Sequence, residues 1–172
     1  MNKSFFTMKN LKTLTCVLFS SMIFGCTATG TTFQSVTDIA KDNGILYVYR
    51  DYGYGFSMAT AHFKINGVDV FGLDRNGYSF VYLPEGTYKL SQKWWWAALQ
   101  SPLDTTVTIR RGEPSYVKFT TALHYKGMNT ETLKWSMQQV SQMQGLREIS
   151  DKKLQPSKKI NEQVTVEPIL QH

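Results

Sequence analysis

Side chains able to act in catalysis or to bind a metal are few in this chain of 172 residues. It has two cysteines, Cys16 and Cys26, and three histidines, His62, His124 and His172. Neither internal histidine has another histidine or a carboxylate at the spacing of a metal site. No nucleophile elbow, phosphate-binding glycine loop or Cys-x-x-Cys motif occurs. The sequence therefore predicts no catalytic residue, no cofactor and no metal site.

Cys26 is the residue whose context predicts a specific modification. The chain before it carries Lys3, Lys9 and Lys12, no acidic residue, and a mostly apolar run over residues 14–24. Such a run is too short to cross a bilayer, which needs about 20 apolar residues. A positive flank followed by a short apolar stretch is typical of a signal peptide, here predicted over residues 1–25.

The predicted signal ends in Ile23-Phe24-Gly25-Cys26, which resembles the bacterial lipobox, with Phe24 at a position that is usually small or β-branched. The resemblance implies that Cys26 becomes the first residue and carries acyl chains such as palmitate. Several such chains hold a protein on a membrane far more firmly than one. Thr27 stands where lipoproteins of the inner membrane typically have Asp, so we expect the outer membrane, facing the periplasm. An uncleaved anchor and a lipid-free secreted protein are the alternatives.

Processing at this site would change the composition of the chain. Cys16 would leave with the signal, so the mature chain has no disulfide and depends on its own apolar core. Loss of the three signal lysines lowers the formal net charge from +6 to +3. A nucleic-acid role therefore has little support. The remaining length suits one domain.

Hydrophobic periodicity predicts a mainly β protein: an antiparallel β-sandwich of about seven or eight strands with one short C-terminal helix. Residues 45–50 are almost all apolar, which predicts a strand buried on both faces. Asn66-Gly67 between two alternating runs indicates a hairpin. Ser141 and Gln144 have the spacing of a capping box, and apolar residues recur every third position at Val140, Met143, Leu146 and Ile149.

The predicted organisation is a signal peptide at 1–25, a tether at 26–43, a β-sandwich domain at 44–154 and a loose tail at 155–172. The tether and tail are predicted from their polar composition. Within the domain, three consecutive tryptophans cannot all enter one core from a strand, because neighbouring side chains point to opposite faces. We therefore predict partner contacts from Trp94, Trp95 and Trp96, and also from Tyr52 and Tyr54, which lie in a loop with two glycines. The alternatives are that Trp94 and Trp96 pack inside while the following loop covers Trp95, and that the two tyrosines are merely exposed.

Three stretches, Leu46 to Arg50, the Asn66-Gly67 hairpin and Leu83 to Tyr88, resemble a bacterial lipoprotein family with a domain of unknown function. The resemblance covers residues 44–149 and implies a small envelope β-sandwich, without site residues. The predicted role is a lipid-anchored, non-catalytic binding or assembly module with the membrane and an envelope protein as partners. The alternatives are an enzyme acting on envelope glycan or peptidoglycan, and a structural subunit of a secretion or efflux assembly.

Overall fold

A computed structural model describes residues 27–37, 39, 42–51, 53, 59–94, 102–125 and 131–157, with the backbone alone at 123–125 and 131–133. This part of the chain is mainly β, with two sheets and one short helix. Its elements are β1 (Asn43–Arg50), β2 (Ala61–Ile65), β3 (Val68–Leu73), β4 (Gly77–Pro84), β5 (Gly86–Lys93), β6 (Leu103–Ile109), β7 (Pro114–Tyr125), β8 (Glu131–Val140), α1 (Gln142–Ile149) and β9 (Lys153–Leu154).

The first sheet has the strand order β8-β7-β1-β4-β9, and the second has the order β3-β2-β5-β6. The central position of β1 confirms the interpretation of its apolar run, because no side chain from Ile45 to Arg50 is more than 1% exposed. The predicted hairpin is also confirmed. Asn66 and Gly67 join β2 to β3 with φ angles of 46° and 84°, and two positive φ angles are what the tightest hairpin turns require.

The first sheet is mixed, so the prediction of a purely antiparallel architecture is wrong. β1 pairs in parallel with β7, and β4 pairs in parallel with β9. Between β1 and β7 the chain forms β4 on the other side of β1 and all four strands of the second sheet, and a long connection of this kind permits parallel pairing of β7 with β1. The described strands also number nine, against seven or eight predicted, since polar composition concealed the two-residue β9.

The two sheets pack on each other through one apolar cluster. The first sheet contributes residues such as Leu46 and Phe119, and the second contributes residues such as Phe63 and Leu90, all fully buried. Burial of these apolar side chains is the main contribution to the stability of the fold, at about 25 cal/mol for each Å² of apolar surface removed from water.

A second apolar cluster covers the outer face of the first sheet. It contains Tyr47 and Tyr116 from the sheet, Ile149 from α1, and Phe33 and Val36 from the N-terminal segment. The Phe33 ring lies edge-on to the Tyr47 ring, with 5.4 Å between centroids. The N-terminal segment and α1 therefore form a third layer on the sheet.

Parts of the predicted tether and tail belong to the folded domain. Thr32 forms a β-bridge with Lys153, and Phe33 packs in the second cluster. At the other end of the chain, Ser157 is 8% exposed, and its hydroxyl donates to the Val70 carbonyl at 2.7 Å. Residues 158–172 lie outside the described residues. The described parts of these two segments are thus packed, not loose.

Helix α1 begins as predicted, and its predicted apolar stripe is correct in part. The Ser141 hydroxyl accepts a hydrogen bond from the Gln144 N–H at 3.3 Å, which confirms the N-cap. Ile149 is buried and Val140 packs beside it as predicted, but Met143 is 81% exposed and Leu146 is 38% exposed. Gly145 is buried on the sheet in their place, since only glycine allows the helix to approach the Tyr116 ring this closely.

A Gly145→Ala substitution is expected to destabilise the protein by about 1 kcal/mol. Alanine favours a helix by about 1 kcal/mol, but its Cβ would overlap the Tyr116 ring, which is 1% exposed and cannot turn away. Overpacking of this kind costs about 1 to 3 kcal/mol. Urea unfolding checks the result, with exposed Met143→Ala as the control that stays near wild type. A Gly145→Ala protein as stable as wild type would contradict the close approach.

Candidate functional site

The structure describes one of the six residues predicted to carry function. Trp94 is 1% exposed and packs against Phe119, with 6.1 Å between ring centroids. It is a core residue and offers no surface to a partner, so its predicted contact role is wrong. The other five lie outside the described residues: Cys26, Tyr52, Tyr54, Trp95 and Trp96.

The Trp94 ring lies beneath a buried guanidinium. The Cζ atom of Arg50, the last residue of β1, is 5.5 Å from the Trp94 ring centroid. The Arg50 Nη1 atom donates to the carbonyls of Ala59 at 2.6 Å and Leu73 at 3.0 Å. Burial lowers the pKa of Arg50 to about 10, against the opposing effect of the Asp74 carboxylate. Arg50 therefore remains charged at neutral pH and fastens the two sheets together.

These contacts define one end of the domain, which we call the Arg50 end: the end where β1 and β5 finish and β2 and β4 begin. Asp74 closes it between β3 and β4. Its carboxylate accepts hydrogen bonds from the Thr60 hydroxyl at 2.6 Å and from the Gln155 side-chain amide at 2.7 Å. Asp74 thereby connects the start of β2 to the segment that follows β9.

Charged side chains converge on the outer face near this end, in a group we call the Glu148 cluster: Tyr49, Asp51, Lys118, Glu148 and Lys152. The Glu148 carboxylate accepts from the Tyr49 hydroxyl at 2.8 Å and lies 2.9 Å from the Lys118 ammonium. Asp51 lies 3.2 Å from Lys118 and 3.8 Å from Lys152. A shallow depression of about 340 Å³ lies over these groups.

The pKa values of Glu148, Tyr49 and Lys118 are displaced away from neutrality. Burial opposes ionisation of Glu148, but hydrogen bonds from Lys118, Tyr49 and Gln144 prevail and lower its pKa to about 2. Burial and the Glu148 carboxylate raise the pKa of Tyr49 well above its usual value. Burial disfavours the charged form of Lys118, yet Glu148 and Asp51 raise its pKa overall. Glu148 and Lys118 therefore stay charged and Tyr49 stays neutral, an arrangement suited to fastening α1 and poorly suited to proton transfer near pH 7.

Sequence reasoning missed both arrangements. Tyr49 and Glu148 are 99 positions apart, so no spacing rule connects them. The buried contacts of Arg50 could have been predicted, since this charged residue ends a strand that was predicted to be buried on both faces. A charge at such a position needs buried partners.

A Glu148→Gln variant is expected to lose about 1 to 2 kcal/mol of stability at pH 7. This is less than the full displacement of the Glu148 pKa would give, because the carboxylate keeps some contact with water. Its pKa falls from 4.5 in the reference state to about 2 in the folded protein. The stabilisation is therefore present above pH 4.5 and lost as the pH falls towards 2.

Urea unfolding of Glu148→Gln and wild type at several pH values checks this prediction. Glu113→Gln is a matched control, since the Glu113 side chain is 59% exposed and lies 3.7 Å from Arg110. The control is expected to stay near wild type throughout. A stability difference for Glu148→Gln that does not shrink below pH 4.5 would contradict the role given to its carboxylate.

Searches for other kinds of site and for relatives gave negative results. Within the described ranges, no group of three His, Cys, Asp or Glu side chains is placed to hold a metal ion. No helix in these ranges is long and apolar enough to span a membrane. Comparison with protein-family models, curated proteins and solved structures found no match.

Proposed function

We propose that this protein is a lipid-anchored, non-catalytic binding or assembly module of the bacterial envelope. In this proposal it is a β-sandwich with an added outer layer, held by acyl chains on Cys26 at the outer membrane and facing the periplasm. One observation carries the proposal: a lysine-flanked apolar run ends in the lipobox-like Ile23-Phe24-Gly25-Cys26.

The strand ends support a contact surface at the Arg50 end. Because Arg50 lies over Trp94, the chain segments that follow these two residues start close together. Tyr52 is two positions beyond Arg50, and Trp95 directly follows Trp94. Both aromatic residues thus follow, in sequence, residues that meet at the Arg50 end. Tryptophan and tyrosine are frequent anchors of protein interfaces.

The charged groups support a role without catalysis. Glu148 and Lys118 form an ion pair, and the direction of each pKa displacement keeps both charged at neutral pH. A general acid or base works best with a pKa near the working pH. The ion pair is better suited to fixing α1 on the sheet than to proton transfer, as expected of a rigid contact module.

Affinity purification from detergent-solubilised membranes tests the proposal, with tagged wild type, Trp95→Ala and Tyr52→Ala compared under identical conditions. Wild type is expected to retain an envelope protein in fixed proportion, and each variant to retain at least about tenfold less, the loss expected at an interface hot spot. Tyr82→Ala is the matched control, because this 36% exposed aromatic residue lies on β4 near the opposite end. An unchanged partner set in both loop variants would remove the contact surface from the proposal.

A further inference from the structure

The chain is attached to the folded domain directly after Cys26. Thr27 forms a β-bridge with Arg75, and the Ala28 N–H donates to the Arg75 carbonyl at 3.1 Å. Further along, the Leu154 N–H donates to the Thr31 carbonyl at 2.8 Å. Gly30 approaches β9 so closely that a Cβ atom there would overlap the Leu154 carbonyl.

This attachment leaves almost no length of chain between Cys26 and the domain. Thr27, the residue bonded to Cys26, is already paired with Arg75, so no free tether separates this pair from the proposed acylation site. A free tether over residues 26–43 would instead have an average span of about 20 to 25 Å. The domain therefore cannot stand away from whatever surface Cys26 is fixed to.

The N-terminal segment is attached at one end of the domain. Arg75 lies in the connection between β3 and β4, next to Asp74, and so belongs to the Arg50 end. The exposed Lys93 closes β5 at this same end. The opposite end lies about 23 Å away, the length of the eight-residue strand β5 at about 3.3 Å per residue.

From this geometry we propose that the acyl chains hold the Arg50 end of the domain against the headgroup layer of the membrane. The exposed Lys93 then faces the lipid phosphates, and its positive charge favours an anionic surface. The orientation rests on the proposed acylation of Cys26. A partner that contacts this end is accordingly a protein embedded in, or bound at, the same membrane.

Fluorescence quenching on vesicles tests the orientation with two labels at opposite ends of β5. Lys93→Cys places a thiol at the Arg50 end, and Glu85→Cys places one just before the strand begins. Cys16 is lost with the signal and the sulfur of Cys26 is acylated, so each variant has one reactive thiol. Acylated, labelled protein is reconstituted into phosphatidylethanolamine–phosphatidylglycerol vesicles that contain lipids with a headgroup quencher.

Quenching is expected to be at least threefold stronger at position 93 than at position 85. A ten-residue Gly-Ser insertion between Cys26 and Thr27 is expected to remove this difference, and a difference that survives the insertion would overturn the role of the short attachment. Equal quenching in the acylated, vesicle-bound protein without the insertion overturns the orientation alone. A protein that carries no acyl chains overturns the proposed function and the orientation with it.

Discussion

A Cys26→Ser variant is expected to leave the membrane fraction, with membrane-bound protein falling by at least about tenfold. Serine lacks the thiol that the lipobox resemblance assigns as the site of acylation. Each buried methylene of an acyl chain contributes about 0.8 kcal/mol to membrane binding, so loss of the acyl chains removes the main source of membrane affinity in this proposal. Fractionation after an alkaline wash, followed by immunoblotting, measures the change.

The second cysteine provides a matched control for this prediction. Cys16 lies inside the apolar run of the predicted signal, so Cys16→Ser removes a thiol without touching the acylation site. This variant is expected to fractionate as wild type does. Equal membrane retention of the Cys26→Ser protein would contradict the anchor, and the periplasmic assignment would fall with it.

A Trp94→Ala substitution is expected to lower the free energy of unfolding by about 3 to 5 kcal/mol, the cost of truncating a large buried aromatic side chain. Among the described residues Trp94 has the largest fully buried side chain, and its ring contacts both Phe119 and the Arg50 guanidinium. The cation–π contact contributes about 1 to 2 kcal/mol at a buried site, so lost apolar packing accounts for most of the effect.

Urea unfolding of the soluble Cys26→Ser background measures this loss without interference from lipid. Lys93→Ala is the control, because Lys93 is the neighbouring residue and its side chain is exposed. The control is expected to change stability by less than about 0.5 kcal/mol. A loss below about 1 kcal/mol for Trp94→Ala would mean that Trp94 does not pack in the core.

Local patterns in the sequence predict the features of this fold that depend on local chemistry. The apolar run of β1 predicts a central strand, because only a strand covered on both faces can bury consecutive apolar side chains. Asn66-Gly67 predicts a hairpin because these two residues tolerate positive φ angles. Ser141 predicts the start of α1 because its hydroxyl can satisfy a free N–H of the first turn.

Features that depend on distant residues could not be predicted in this way. Whether β7 runs parallel or antiparallel to β1 is invisible to the alternation of either strand. Met143 and Leu146 were predicted to face the sheet because of their apolar spacing. Gly145 lies there instead, because its lack of a side chain allows the helix to contact the Tyr116 ring. The segment around Thr32 has a loop-like composition, yet it is held by backbone pairing with β9, which composition does not record.

The central claim is that acyl chains on Cys26 hold this domain at the envelope membrane, and the intact mass of the mature protein tests it most directly. Protein extracted from membranes with detergent is expected to have the mass of residues 26–172 plus a diacylglyceryl group and an amide-linked acyl chain. Fragmentation should place the added mass on the first residue. An unmodified chain, or one that still carries residues 1–25, would contradict the claim.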